Sequence, residues 1–261
     1  MTTTINVDTL ADELYTAYQQ RRSVDPLTDR FAEITTTQAY QIQLSLVRRR
    51  LAEGRRVVGK KIGLTSKAMQ DLLGVSEPDY GHLFEDMMIL NGQPIAAAEL
   101  LKPRCEGEIA FLLGQELAGP GVSVADVLRA TEAVMPALEI VDSRVRDWKV
   151  KIQDTIADNG SSALVALGDK LTPVRDLDLR LVGMVLQQNG QIVDTGAGAA
   201  ALGHPASAVA WLANKLAEFD ISLQAGEIIL SGSLATAPFA AAGDHFRADF
   251  DRLGSVSAYF V

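Results

Sequence analysis

The chain has 261 residues, of which 48% are hydrophobic and 22% charged, and its formal net charge is −9. This length allows one large domain or two small ones, and it can bury most of the unfolded surface without a disulfide or structural metal. The negative charge argues against nucleic acid or an anionic membrane as the main partner.

The single cysteine, Cys105, excludes an internal disulfide and suits a reducing compartment. It is interpreted as a small core residue and not as a nucleophile. No apolar run approaches the roughly 18–20 residues of a membrane span, and residues 1–8 lack the regions of a signal peptide. A cytoplasmic protein is therefore expected.

The first third of the chain is predicted to be helical. Leu10, Leu14 and Tyr18 repeat at helical spacing and form one apolar stripe. A turn is predicted near residues 25–28. A second helix is predicted over residues 36–53, with arginines in its last turns, where the helix dipole favours positive charge.

The pattern then changes to that of strands. Residues 87–95 and residues 182–193 each hold an Asn-Gly pair between apolar runs, which predicts two β-hairpins. Ser123 opens a predicted capping box and a helix to about residue 132. Another helix is predicted over residues 205–219.

The last part of the chain predicts strands over residues 227–230, 246–250 and 255–261. Helices followed by mixed, largely antiparallel strands favour an α+β fold over a doubly wound α/β sheet. The glycine-rich residues 195–200 lack the spacing of a dinucleotide site, so a tight loop is predicted there.

Two glutamates, Glu106 and Glu108, begin an apolar run, residues 103–113, that predicts a buried strand. They share one face of that strand and repel each other unless a cation or protons neutralise them. Glu139 stands in a second apolar run, residues 135–141, and a neighbouring strand at about 4.8 Å would bring it to the same point. Mg²⁺ or Mn²⁺ is the simplest partner, and a solvated strand edge is the alternative.

Eight separated blocks, in order along the chain, resemble the hydratase and decarboxylase branch of the fumarylacetoacetate hydrolase superfamily. The blocks are VGKKIGLTS (58–66), EPDYG (77–81), EGE (106–108), PALE (136–139), DSR (142–144), ADN (157–159), LGHP (202–205) and GSV (254–256). The resemblance implies a single catalytic domain (1–261), with a helical N-terminal region (1–55) and a β-rich metal-binding core (56–261). That core is expected to be a mixed, largely antiparallel β-roll or barrel of the superfamily's C-terminal-domain type.

The resemblance also implies site residues. Glu106, Glu108 and Glu139 would bind Mg²⁺ or Mn²⁺, and Lys61 would be an active-site lysine. Apolar neighbours favour this role for Lys61 over that of a surface lysine. Asp79 is typical of hydratases in this branch, whereas decarboxylases tend to carry an apolar residue there; without the resemblance it would be interpreted as part of a turn.

The implied reaction is the hydration of 2-hydroxypenta-2,4-dienoate to 4-hydroxy-2-oxopentanoate, in bacterial meta-cleavage degradation of aromatic compounds. The metal would act as a Lewis acid at the substrate's C2 oxygen. Lys61, with a lowered pKa, is expected to move protons, and Asp79 to orient or deprotonate the attacking water. A 4-oxalocrotonate decarboxylase of the same family and a non-catalytic partner of such an enzyme are the alternatives.

Four more residues are predicted to bind the substrate. Arg144 can meet a carboxylate with paired hydrogen bonds or pair with a glutamate of the site. Asp158 and Ser161 either line the site or cap a turn. Ser231 follows an apolar strand and can offer its hydroxyl.

The expected partners are a small 2-hydroxydienoate substrate and other protein chains. The resemblance implies a homo-oligomer, with a pentamer or decamer as candidates, and a complex with 4-oxalocrotonate decarboxylase. His204, which precedes Pro205, is interpreted as part of a helix-start turn and not as a metal ligand.

Overall fold

The computed structural model of the protein describes residues 5–67, 70–71 and 74–261. No signal peptide is predicted from the sequence in residues 1–8, and residues 1–4 of that segment lie outside the described ranges. Within them, no helix has both the length and the apolar character needed to cross a membrane.

The N-terminal region contains α1 (Val7–Gln20), α2 (Leu27–Arg30) and α3 (Thr36–Ala52). The two predicted helices are confirmed, and α2 begins at Leu27, within the predicted turn at residues 25–28. Thr35 and Gln38 form a capping box at the start of α3, which satisfies backbone N–H groups that the helix leaves free.

The strands lie between and after the helices. They are β1 (Val57–Gly63), β2 (Asp79–Phe84), β3 (Met88–Ile89), β4 (Pro94–Ile95), β5 (Arg104–Leu113), β6 (Thr131–Val141), β7 (Ser162–Leu167), β8 (Gly183–Gln188), β9 (Gln191–Ala197), β10 (Ile228–Leu230), β11 (His245–Phe250) and β12 (Gly254–Phe260). The later helices are α4 (Val124–Ala130), α5 (Ile152–Ala157) and α6 (Pro205–Leu216).

These strands form two mixed sheets. The order of the first is β2-β1-β10-β5-β6-β7-β3, and that of the second is β4-β12-β11-β8-β9. Most neighbours are antiparallel, but β1 runs parallel to β10, β3 to β7, and β4 to β12. The predicted mixture of strand directions is therefore confirmed.

One of the two predicted hairpins is present. Strands β8 and β9 pair across Asn189-Gly190 as expected. The prediction of a hairpin over residues 87–95 is wrong, because β3 and β4 do not pair with each other. Instead, β3 pairs with β7 in the first sheet and β4 pairs with β12 in the second. Each of these strands has only two residues. The Asn-Gly turn between them connects the first sheet to the second.

Both later helix predictions are confirmed. Ser123 caps α4, which ends at Ala130 because the long strand β6 begins at the next residue. The ring Nδ1 of His204 accepts a hydrogen bond from the backbone N–H of Ala206, 3.0 Å away. His204 is thus the cap of α6, as interpreted from the sequence.

A continuous apolar cluster joins the N-terminal helices to the sheets. Leu14 of α1, Tyr40 of α3, Ile109 of β5 and Leu138 of β6 all belong to it. Cys105 is also buried in this cluster, and burial raises the pKa of its thiol. Its interpretation as a core residue is confirmed.

Candidate active site

Three glutamates from two central strands converge. Strands β5 and β6 are antiparallel neighbours, and Glu106 lies directly opposite Glu139 in their pairing. Glu108, two residues along β5, projects from the same face. One carboxylate oxygen from each residue lies within 4.8 Å of the other two. The predicted convergence of the three side chains is confirmed.

These carboxylates are poorly satisfied by the protein. Glu108 and Glu139 are both fully buried. The N–H of Gly232 donates to Glu108 Oε2 at 2.7 Å, but Glu108 Oε1 and both Glu139 oxygens have no hydrogen-bond partner among the described residues. One lysine, Lys61, faces the three carboxylates, and the excess of negative charge in such a setting is strongly unfavourable.

The pKa values respond to this crowding. Burial, followed by the charges of Glu139 and Glu106, raises the pKa of Glu108 well above its ordinary range. Burial also raises the pKa of Glu106 to about 7, against the opposing effect of Lys61. Without a cation, the cluster therefore favours bound protons.

The donor set fits a hard divalent cation. Oxygen ligands of one Mg²⁺ lie about 2.1 Å from the ion, and so no more than about 4.2 Å apart. Small side-chain movements would bring the three oxygens within that limit. An all-carboxylate set suits Mg²⁺ or Mn²⁺ better than a softer metal, and a cation would satisfy the orphaned oxygens.

Lys61 approaches the same cluster from β1. Its Nζ lies 3.0 Å from Glu139 Oε2 and donates to the carbonyl oxygen of Gly160 at 3.1 Å. Burial would lower the pKa of Lys61, but the surrounding carboxylates raise it above its ordinary value. The expectation of a lowered pKa is wrong for the protein alone. Neutralisation of these carboxylates by a cation would weaken the effect that raises it.

The loop after α5 contacts Lys61 through the carbonyl of Gly160. Asn159, Gly160 and Ser161 have φ values of 56°, 62° and 53°, a left-handed run that is costly for side-chain-bearing residues. The Asn159 side chain holds the run in place by bonding both the N–H and the carbonyl of His82 in β2. A Cβ at Gly160 would lie 2.8 Å from Lys61 Cδ, so a larger residue there would displace the Lys61 side chain.

Asp79 begins β2 beside the end of β1. It pairs with Gly63, where an added Cβ would lie 2.2 Å from Asp79 Oδ1. Gly63 thus leaves the space that the carboxylate occupies. Asp79 is only 3% exposed, and burial raises its pKa, against the opposing charge of Lys61. Asp79 is therefore a buried acid and not an exposed turn residue.

Three of the predicted substrate-binding residues form one hydrogen-bonded network. The Asp158 carboxylate accepts from the Arg144 backbone N–H at 3.0 Å and from its Nε at 2.5 Å. Ser161 Oγ donates to Asp158 Oδ2 at 3.0 Å. The other guanidinium nitrogens of Arg144 donate to backbone carbonyls of Asp142, Ser162 and Asp158. This network fixes the loop that carries Gly160.

The loop after β10 supports Glu108. Ser231 is fully buried, and its hydroxyl donates to the carbonyl of Ile109 at 2.9 Å. The next residue, Gly232, supplies the N–H that bonds Glu108. Sequence reasoning did not identify the backbone carbonyl of Gly160 and the backbone N–H of Gly232 as parts of the site. The available signal was a glycine directly after Asn159 and another directly after Ser231.

Sequence reasoning also missed a buried ion pair behind the site. Lys60 Nζ donates to both carboxylate oxygens of Glu227, at 2.6 and 2.7 Å. Lys60 and Lys61 project from opposite faces of β1. The pair therefore lies on the far side of the sheet from the three glutamates.

Comparison with known proteins agrees with this architecture. Residues 58–261 match the family model for the C-terminal domain of fumarylacetoacetate hydrolase. The chain is 50% identical to 2-hydroxyhexa-2,4-dienoate hydratase of Comamonas testosteroni over 257 residues, which cover 98% of this chain and 97% of that protein. It is 54% identical to 2-hydroxypent-2,4-dienoate hydratase of Pseudomonas putida over 217 residues, which cover 83% of this chain and 98% of that protein.

A solved structure is similar over nearly the whole length. The 4-oxalocrotonate decarboxylase of Pseudomonas putida G7, complexed with magnesium and adipate, superposes with a TM-score of 0.96 and 37% identity, covering 99% of each chain. The α+β fold expected for the C-terminal-domain type is thus confirmed.

Proposed function

The chain belongs to the fumarylacetoacetate hydrolase family, and on that premise we propose that it is a hydro-lyase acting on 2-hydroxypenta-2,4-dienoate. Water is added to give 4-hydroxy-2-oxopentanoate, a step in bacterial breakdown of aromatic compounds by meta-cleavage. The names of the two hydratase relatives support this proposal. The observation that carries it is the buried cluster of three glutamates with orphaned oxygens beside Lys61 and Asp79.

Glu106, Glu108 and Glu139 would hold Mg²⁺ or Mn²⁺. When bound, the ion would supply a Lewis acid for the carboxylate and C2 oxygen of the substrate. Gly232 keeps Glu108 aimed into the cluster through its backbone N–H, and the strand pairing fixes Glu106 opposite Glu139.

Lys61 would move protons. Hydration requires a proton at C5 of the dienol, with loss of the proton on the C2 oxygen, and a second proton at C3 after water has added at C4. An ammonium group has three N–H donors. One of them bonds the Gly160 carbonyl, and Glu139 Oε2 lies 3.0 Å from the nitrogen as an ion-pair partner, so a donor remains for the substrate.

Asp79 would act on the water. Its raised pKa and burial suit a carboxyl group that takes a proton from the attacking water and returns it. Decarboxylation needs no delivered water, so the buried Asp79 favours hydration over the decarboxylase activity of the structural neighbour.

The substrate contacts of Arg144, Asp158, Ser161 and Ser231 stay predictions. In the structure their polar side-chain atoms bond protein groups. We propose that their first contribution is to hold the Gly160 and Gly232 loops against Lys61 and Glu108.

We also propose that the whole chain acts as one catalytic unit in the cytoplasm, within a homo-oligomer. Leu90, Leu181 and Ile192 are 77%, 73% and 66% exposed in the single chain, which suits burial between subunits. Light scattering of the purified protein would give the subunit number, and mixing it with 4-oxalocrotonate decarboxylase would test the predicted complex.

A turnover assay tests the proposed reaction. The protein is stripped with a chelator and given freshly generated 2-hydroxypenta-2,4-dienoate with and without Mg²⁺ or Mn²⁺. We expect conversion to 4-hydroxy-2-oxopentanoate only when a metal is restored. Equal turnover by the stripped protein would contradict the metal site, and CO₂ release from 2-oxo-3-hexenedioate without hydration would favour the decarboxylase.

A further inference from the structure

Arg104 lies beside the glutamate cluster without a polar partner for its side chain in the described part of the chain. It precedes Glu106 by two residues in β5, so both side chains project from the same face of the strand. Among the described residues, its guanidinium makes no ion pair or hydrogen bond, and its Nε–H is buried without an acceptor.

Two aromatic rings hold this guanidinium in place. Its central carbon lies 4.2 Å from the centroid of the Phe239 ring and 5.4 Å from that of Trp148. The backbone of Phe239 forms an antiparallel bridge with that of Arg104, and the Trp148 ring is held by a hydrogen bond to the Lys102 carbonyl at 2.8 Å. Contacts through the face of a guanidinium leave its in-plane N–H donors free to bind an anion.

The other arginine proposed for anion binding is in the opposite condition. Arg144 uses its Nε and both terminal nitrogens on Asp158 and backbone carbonyls. Binding a substrate with Arg144 would require breaking that network, whereas Arg104 requires no such loss.

We propose that Arg104 binds the carboxylate of the substrate through paired N–H···O bonds, and that it selects for 2-oxo or 2-hydroxy acids over their uncharged analogues. This inference rests on the proposed function. A planar carboxylate matches the fork of an arginine side chain and would give the buried Nε–H its missing acceptor. Its positive charge, two residues from Glu106, would also offset the repulsion between the three carboxylates and an anionic substrate.

The test compares pyruvate with pyruvamide, its uncharged amide, by calorimetry on Mg²⁺-loaded protein. The Arg104→Met variant keeps most of the stem but removes the guanidinium. We expect the preference of the wild type for pyruvate over pyruvamide to fall roughly 10- to 100-fold in this variant, the range for hydrogen bonds to a charged group. Lys102→Met is the matched control, because Lys102 lies over the same Phe239 ring but pairs with exposed Asp147. Its preference should match that of the wild type.

The other outcomes are separable. An unchanged preference in Arg104→Met overturns the inference, as does a change confined to Mg²⁺ affinity, which would mean that Arg104 only neutralises Glu106. Failure of the Mg²⁺-loaded wild type to bind pyruvate contradicts the proposed function itself. If Arg104→Met does not fold, Arg104→Lys is tested in its place, since lysine keeps the charge but lacks the paired donors of arginine. The preference for pyruvate over pyruvamide should fall in that variant too, and an unchanged preference overturns the inference.

Discussion

Lys60 and Lys61 are consecutive in β1, yet their ammonium groups bind carboxylates on opposite sides of the sheet. Lys60 pairs with Glu227 behind the sheet at 2.6 Å, and Lys61 pairs with Glu139 in front at 3.0 Å. Adjacent residues of one type thus separate a structural ion pair from the lysine for which we propose a catalytic role. They offer a matched pair of substitutions.

We expect Lys61→Met to lower kcat by roughly 10²- to 10⁴-fold, the usual contribution of a positioned proton donor, while the protein still folds. Lys60→Met should instead lower the free energy of unfolding by about 3–5 kcal/mol, because it leaves Glu227 buried and unpaired. Steady-state kinetics and urea unfolding of both variants check this. A loss of kcat that is equal in two folded variants would contradict the division of roles.

Asp79→Asn should remove hydration while leaving proton exchange on the substrate. The amide keeps the shape of the side chain but cannot take a proton from water, so we expect a fall in kcat of roughly 10²- to 10⁴-fold. Deuterium incorporation at C3 or C5 of the substrate, followed by NMR in D₂O, measures the part that Lys61 would carry. Asp71→Asn, an exposed aspartate paired with Lys67, is the control.

Glu139→Gln should abolish Mg²⁺ binding, because it removes the charge of a ligand whose two oxygens have no other hydrogen-bond partner in the described chain. Calorimetric titration of the stripped protein with Mg²⁺ measures this directly. We also expect the metal-free variant to be at least as stable as the metal-free wild type, since one of three crowded charges is gone while Glu106, Glu108 and Asp79 still balance the charge of Lys61. Wild-type metal affinity in this variant would rule out the proposed ligand set.

The pH dependence of stability should differ between the metal-free and the Mg²⁺-bound protein. Folding raises the pKa of Glu106 from 4.5 to about 7, so the folded metal-free protein takes up protons in that window. Its stability is therefore expected to fall as the pH rises from about 4.5 to about 7. A cation displaces these protons, so the increase in Tm caused by Mg²⁺ should grow over the same range. Melting curves of the wild type and Glu106→Gln, with chelator or Mg²⁺, test both statements.

Gly160→Ala should impair the protein in two ways. Its φ of 62° disfavours a Cβ by about 1–2 kcal/mol, and the new atom would meet Lys61 Cδ at 2.8 Å. We expect a lower Tm together with a fall in kcat, because Lys61 must move away from Glu139. Gly190→Ala also has a positive φ, 76°, but no neighbour within 4 Å. It should lower Tm without changing kcat.

The centre of the site could be predicted from the sequence because two regular features of strands, side-chain alternation and the spacing between neighbours, set the distances there. Alternation along β5 placed Glu106 and Glu108 on one face, and strand spacing brought Glu139 beside them. The same local reasoning was wrong for residues 87–95, where the Asn-Gly turn is present but the partners of β3 and β4 lie far away in sequence. Pairing with distant strands overrides a local turn signal.

Long-range contacts account for what the sequence did not reveal. Lys60 and Glu227 are 167 residues apart, and no local pattern links them. The direction of the Lys61 pKa shift depends on four carboxylates that only the fold assembles. Arg104 had a detectable signal, its position two residues before Glu106, but its freedom from partners required the structure.

The orphaned oxygens of Glu139 also bear on how long the protein survives in a cell. A ligand that binds only the folded form lowers the fraction of molecules open to proteases. Starvation for divalent ions should therefore shorten the lifetime of the polypeptide as well as silence it, and the supply of magnesium or manganese would set how much of it accumulates.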